Sequence, residues 1–386
     1  MKRTPFYPFI FILSVLFTLI CFTLNTHAAP KVIPKAPAIA AKSYILIDHN
    51  SGKIIAQENA DIPMAPASIT KVMTAYVVFS ELKEGNIQLD ELVTVSKKAW
   101  KTMGSRMFIK VNSKVSVEDL LQGMIIQSGN DASVALAEHI AGSEDTFAAL
   151  MNQHALDLGM SQTNFLNSTG LPNPDHKTTA RDLAILANAL IKRFPEYYKW
   201  YSTKEFTYNN IKQPNRNKLL WRDNSVDGMK TGYTEDAGYC LVSSAKRNNM
   251  RLISVVLGTK SVNARAQESQ KLLNFGFRFY ESHVIYPVGQ ALKNLRIYKG
   301  DSEQLPVGVA KDIAVTIPRG QYKNLKPSIN INTPLEAPVS KGQKLGQVEI
   351  KLNGKVLSSS PLVALKTISE GSLWQQAKDS ALMMWE

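Results

Sequence analysis

The chain has 386 residues, more than one ordinary domain needs, and 44% of them are hydrophobic, enough to bury a sizeable core. Its formal net charge of +13 suits an anionic partner: an envelope polymer, a lipid headgroup or a nucleic acid. Nucleic acid is set aside, because no aromatic-basic motif, zinc-ligand spacing or glycine-rich phosphate loop accompanies the charge.

Met1-Lys2-Arg3 is a basic start, residues 9–20 form an uncharged apolar run, and Thr26-His27-Ala28 offers small residues for cleavage. This layout predicts a secretory signal over residues 1–28; a transmembrane anchor is the alternative, since the apolar run is nearly long enough. Cys21 follows Ile20, where a lipoprotein needs a small residue. Export leaves Cys240 as the single cysteine, so no internal disulfide forms and the fold must hold by packing. Residues 29–42 read as a Pro/Ala/Lys linker.

Residues 44–48 and 53–57 are strand-like and are joined by His49-Asn50-Ser51-Gly52, which predicts a hairpin. Residues 68–82 are apolar on nearly every face, the pattern of a helix buried inside a domain. A helix-rich stretch runs from 117 to 194, punctuated by Gly142, Gly159 and Gly170. Strands return at 238–245, with Cys240 as a small core residue, and at 251–257. Residues 264–280 read as one closing helix with Leu272, Leu273, Phe275 and Phe279 on its apolar side. Strands at both ends with helices between predict an α+β domain over 43–283, a largely antiparallel sheet flanked by helices.

From 284 to 368 helical periodicity gives way to alternation, as in 313–317 and 347–352, with Asn353-Gly354 as a turn; a small all-β C-terminal domain is predicted. Residues 369–386 open on a linker-like Ser369-Glu370-Gly371-Ser372 and predict an amphipathic helix from Ser372 onward. Leu373, Trp374, Ala377, Ala381, Met384 and Trp385 fall on one side, and Gln375, Gln376, Lys378 and Asp379 are expected to face water. The segment is too short and polar to span a bilayer but suits a membrane surface; packing on the β domain is the alternative.

Three short motifs carry chemistry. Ser68 and Lys71 share a helix face, so a weak serine nucleophile can meet a lysine that burial turns into a base. Alone, this spacing equally suits a helix cap beside a solvated lysine. Ser128-Gly129-Asn130 lies between helical segments, where a plain loop is the ordinary reading. Lys230-Thr231-Gly232 precedes the late hairpin; it is either a surface turn or a place where glycine lets a substrate backbone approach a strand edge. His49, His139, His154, His176 and His283 are scattered without a His-Glu-x-x-His pair, so neither a metal nor another cofactor is expected.

Ser-x-x-Lys, Ser-x-Asn and Lys-Thr-Gly in this order are the set found in β-lactamases and penicillin-binding proteins. With it in place the chain resembles the low-molecular-mass penicillin-binding proteins of the D-alanyl-D-alanine carboxypeptidase type, from about residue 42 to the C-terminus. The resemblance extends to Asn217-Lys218-Leu219-Leu220-Trp221 and Ala264-Arg265-Ala266-Gln267-Glu268-Ser269. It implies a penicillin-binding/β-lactamase-like transpeptidase fold. Ser68 attacks the D-Ala-D-Ala carbonyl, Lys71 is the base, and Ser128 relays a proton to the leaving amine. Asn130 bonds the substrate amide, and Lys230 disfavours protonated Lys71. Thr231 and Arg265 receive the terminal carboxylate, Gly232 lines the groove, and the Ser68 and Tyr233 N–H groups form the oxyanion hole.

The implied partners are the peptidoglycan stem peptide, β-lactams and, through the last helix, the outer face of the inner membrane, which places the protein in the periplasm. Tyr233 and Thr169 stand where some relatives carry histidine. A class A β-lactamase of the same fold would need a deacylating glutamate, and Glu196 lacks its surroundings. A non-catalytic envelope-binding protein would leave the three motifs unexplained.

Overall fold

Side chains alternate across β1 (Ser43–Asp48), which sends Ile45 and Ile47 to one face of a sheet and Tyr44 and Leu46 to the other. β2 (Ile54–Glu58) completes the expected hairpin. With β3 (Val226–Thr234), β4 (Gly238–Arg247) and β5 (Met250–Thr259) they form a five-stranded antiparallel sheet in the order β2-β1-β5-β4-β3. The structure is a computed structural model and describes residues 33–384; the predicted signal and Trp385 lie outside the described residues.

On one face of the sheet sits α1 (Lys71–Glu84), buried from Lys71 to Ser80 as its all-round apolar sequence predicts, and stopped by Gly85 at φ 80°. α2 (Asn130–Ala141), α3 (Glu144–Asp157) and α4 (Ala180–Arg193) surround it. On the other face lies α5 (Val262–Phe279), held by Leu272, Leu273 and Phe277. Each fully buried leucine or phenylalanine contributes about 1.5–3 kcal/mol, so these layers take the place of a disulfide, and Cys240 is a buried free thiol within them. The stretch read as a linker is partly anchored: Ile39 is buried, and Ala36 and Ala41 pack against the layer beneath α5.

The closing helix ends at Phe279. Tyr280 already begins β6 (Tyr280–Tyr286), so residues 280–283 pair with strand rather than helix. β7 (Lys293–Arg296), β8 (Gln304–Val309), β9 (Ile313–Pro318), β10 (Leu325–Ile331), β11 (Lys344–Leu352) and β12 (Lys355–Ala364) follow. They form the sheet β7-β8-β12-β11-β10 and the pair β6-β9 around an aliphatic core that includes Leu305, Val307, Val315, Val348 and Ile350. Ser282 donates to Asp48 Oδ1 at 3.0 Å and Lys53 Nζ donates to the Thr316 carbonyl at 3.1 Å, tying this region to β1 and β2.

The tail forms α6 (Leu373–Met383), whose apolar side is exposed as a membrane-surface helix requires, but Asp379 on its polar side turns toward the protein. Leu373, Trp374 and Met384 are 86%, 80% and 86% exposed, whereas Asp379, expected in water, is 2% exposed. Its carboxylate accepts from the Lys299 N–H at 2.6 Å. Lys299 has φ 60°, and its N–H, like any buried donor, needs an acceptor. Among the described residues no helix is long and apolar enough to cross a membrane.

Candidate active site

Ser68 lies in a 3-10 turn, Ala67–Thr70, that leads into α1 and makes no side-chain cap, so the helix-cap reading falls away. Ala67 is held at φ 49° and Ser128 at φ 70°, left-handed conformations that cost a non-glycine residue about 1–3 kcal/mol. Two such residues at one site mark backbone held in place by its surroundings.

Lys71 Nζ is 3.3 Å from Ser68 Oγ and donates to Asn130 Oδ1 and to the Thr169 carbonyl, each at 2.6 Å. Only 1% of Lys71 is exposed. Burial, and next the charge of Arg216, push it down to about 7, against a smaller upward pull from Asp131 and Glu144. A lysine in that range is largely neutral in mildly alkaline water and can accept a proton.

Ser128 ends a π-helical turn, Gly123–Gln127, of the kind found at functional sites. Its Oγ accepts from Lys230 Nζ at 2.9 Å, and Lys230 also donates to the Thr231 carbonyl at 3.1 Å. Lys230 is buried and held well below the ordinary lysine value, first by burial, then by Lys71, Arg216 and Arg265. Asn130 opens α2, and its Nδ2 donates to the Met103 carbonyl at 2.5 Å.

Lys230-Thr231-Gly232 precedes the β4–β5 hairpin as expected, but it is not a surface turn; it lies on β3, at the edge of the sheet. A Cβ at Gly232 would stand 3.1 Å from Ala67 Cβ, Ile69 Cγ1 and the Pro66 carbonyl. The close approach that glycine permits is therefore with the turn carrying Ser68. Thr231 is buried, whereas Tyr233 is 51% exposed and stacks on Tyr239 with centroids 4.3 Å apart.

Arg265, in the first turn of α5, is buried rather than a solvated helix cation. It donates to the Gly232 carbonyl at 3.0 Å, lies 5.7 Å from the Tyr239 ring centroid, and is drawn down to about 10 mainly by burial.

Ser68, Asn130 and Thr169 are thus gathered on the Lys71 ammonium and Ser128 is paired with Lys230, while Arg265 joins the backbone of Gly232, two residues along from Lys230. One contributor escaped the sequence reading. Arg216 donates from Nε to the Gln127 carbonyl at 2.9 Å, and its charge depresses Lys71, Lys230 and Arg265. It belongs to no motif, and only the fold brings it here. The arrangement joins a nucleophilic hydroxyl to a nearly neutral amine and a second hydroxyl to a second amine, in a cationic setting that favours an anionic substrate.

A family model described as D-alanyl-D-alanine carboxypeptidase matches residues 30–261, and one described as Penicillin-binding protein 5, C-terminal domain, matches residues 280–370. The chain is 46% identical over 373 residues to the D-alanyl-D-alanine carboxypeptidase DacC of Escherichia coli (strain K12), covering 95% of this chain and 93% of the relative. The crystal structure of penicillin binding protein 5 from Haemophilus influenzae is similar with a TM-score of 0.82 at 44% identity, covering 88% of this chain and 100% of that one. Penicillin-Binding Protein D2 from Listeria monocytogenes, solved in its ampicillin-bound form, is similar with a TM-score of 0.58 at 31% identity, covering 62% and 100%.

Proposed function

We propose that in this chain, which belongs to the D-alanyl-D-alanine carboxypeptidase family and removes the terminal D-alanine of peptidoglycan pentapeptides, Ser68 is the nucleophile and Lys71 its base. Ser68 Oγ adds to the carbonyl carbon of the D-Ala-D-Ala bond as its proton passes to neutral Lys71. The oxyanion is met by the Ser68 and Tyr233 N–H groups. Ser128, held by Lys230, relays to the leaving nitrogen the proton that Lys71 took, the C–N bond breaks and D-alanine departs. Water then cleaves the ester, returning the Ser68 hydroxyl and a shortened peptide. Thr231 and Arg265 receive the free carboxylate, which makes the action that of a carboxypeptidase.

A β-lactam undergoes the first half only, because its amine stays tethered to the acyl group. The observation that carries this reading is the buried Lys71 at about 7, 3.3 Å from Ser68 Oγ. Labelled penicillin should add one adduct per chain, and Ser68→Ala should abolish it; an adduct that persists in the variant refutes the assignment.

The same reading places the protein in the periplasm, exported by residues 1–28 and resting on the outer face of the inner membrane through α6. The exposed Leu373, Trp374 and Met384 support it, since such side chains suit the headgroup boundary. A chain ended at Glu370 should fractionate as soluble and still bind penicillin. Retention of that chain in the membrane would move the anchor elsewhere.

A further inference from the structure

Thr70 stands between nucleophile and base and is fully buried. Its Oγ1 lies 3.0 Å from Nε2 of His176, a residue buried in its turn and set edge-on to Phe165 with centroids 5.7 Å apart. His176 belongs to a segment laced to the nucleophile turn, to α1 and α2 beside it and to Met64 just before it. At the near end the Thr169 carbonyl accepts from Lys71, and the Ser168 carbonyl accepts from Thr74 Oγ1 and Ser133 Oγ at 2.7 Å each. Gly170, at φ 82°, lies so close that a Cβ there would stand 1.8 Å from the Ala67 carbonyl oxygen. At the far end Thr178 exchanges both backbone bonds with Met64, at 2.7 and 2.9 Å.

We propose that His176 is a positioning residue: through Thr70 it holds the turn bearing Ser68 in register with the segment that holds the Lys71 ammonium. The proposal rests on Ser68 as nucleophile. The Ser68–Lys71 separation of 3.3 Å is already just beyond the transfer range of about 2.6–3.2 Å, so there is no slack to lose. Lys71 is fixed by Asn130 and Thr169, on other elements, so sliding of the turn changes that separation directly. A misplacement of about 1 Å can cost on the order of a hundredfold in rate. Nδ1 of His176 has no partner among the described residues. An orphaned acceptor is cheaper than an orphaned donor, so Nε2 carries the proton and donates to Thr70. Burial holds the ring near 4, so it stays neutral beside Lys71 over the working range.

The test uses the full mature enzyme and the penicillin-acylation rate at saturation. His176→Leu should lower that rate about tenfold or more, with half-saturation within about twofold of wild type. His176→Gln, whose terminal amide reaches toward Thr70, should recover most of the loss. Thr70→Val should match His176→Leu, and the double variant should be no slower than either single one, because both remove one bond. Acylation at the wild-type rate in His176→Leu, or losses that multiply in the double variant, would overturn the proposal. Should His176→Leu fail to fold, Thr70→Val decides alone, and a wild-type rate there overturns it. Failure of the nucleophile assignment is separate, because it appears as acylation of Ser68→Ala.

Discussion

The interior of residues 43–279 contains two lysines and an arginine, Lys71, Lys230 and Arg265, packed among hydroxyls and amides. The core of residues 280–368 is leucine, isoleucine and valine, and its buried polar side chains are the hydroxyls of Ser282, Thr316 and Ser360. A buried ammonium is costly unless it is paired or gives up its proton. The first region meets that cost with carbonyls, an amide and depressed proton affinity, and gains a base. The second meets no such cost and offers no such chemistry. A substitution in the first should therefore appear in rates, and one in the second in stability.

The largest departure should come from Lys71→Arg. Arginine keeps its charge, so acylation should fall by about a hundredfold to ten-thousandfold, the ordinary worth of a general base. With Lys71 as the proposed base, the neutral form is the one that should react. Its fraction falls about tenfold per pH unit once pH drops below the Lys71 value of about 7, so the acylation rate should fall toward acid with that slope. A flat profile from pH 5 to 8 would break the link between burial and catalysis.

Next is Arg265→Ala. A charge-assisted hydrogen bond at a desolvated site is worth about 1.5–3 kcal/mol, roughly ten- to a hundredfold in rate. Turnover of a free-acid D-Ala-D-Ala peptide should fall by that factor, and turnover of its C-terminal amide should hardly change. Equal losses on both peptides would make Arg265 a packing residue.

The smallest effect on rate should come from Leu305→Ala in the second region. Removing a fully buried leucine should cost about 2–5 kcal/mol in denaturant unfolding while acylation stays within about twofold of wild type. A tenfold slower reaction would show that the regions are not separable in this way.

The three motifs were legible because their residues are close in sequence and rare in combination. The sheet and α1 were legible because alternation and all-round apolarity are strong patterns. The two-stranded pairs Leu92–Thr94 with Lys114–Ser116 and Glu205–Tyr208 with Ile211–Pro214 were not, because strands of three or four residues carry too few repeats of any period. β3 was missed for a different reason. Asp227, Gly228, Lys230, Thr231 and Gly232 replace the usual strand residues, since that edge serves the site rather than the core. Arg216 and the link between Thr70 and His176 depend on contacts across long stretches of chain, which no local pattern records. Asp379 was misplaced because helical spacing separates polar from apolar sides without saying which side meets protein.

That outward apolar side of α6 has a colloidal consequence. By binding the protein through Asp379 and Lys378, the helix leaves Leu373, Trp374 and Met384 as a ready adhesive on each dispersed molecule. Away from lipid, that adhesive finds its like on a neighbouring copy, so light scattering from a detergent-free solution should rise faster than in proportion to concentration. A trace of mild surfactant should clear it without altering how fast penicillin is captured, because the greasy strip and the reacting groups sit on different parts of the chain.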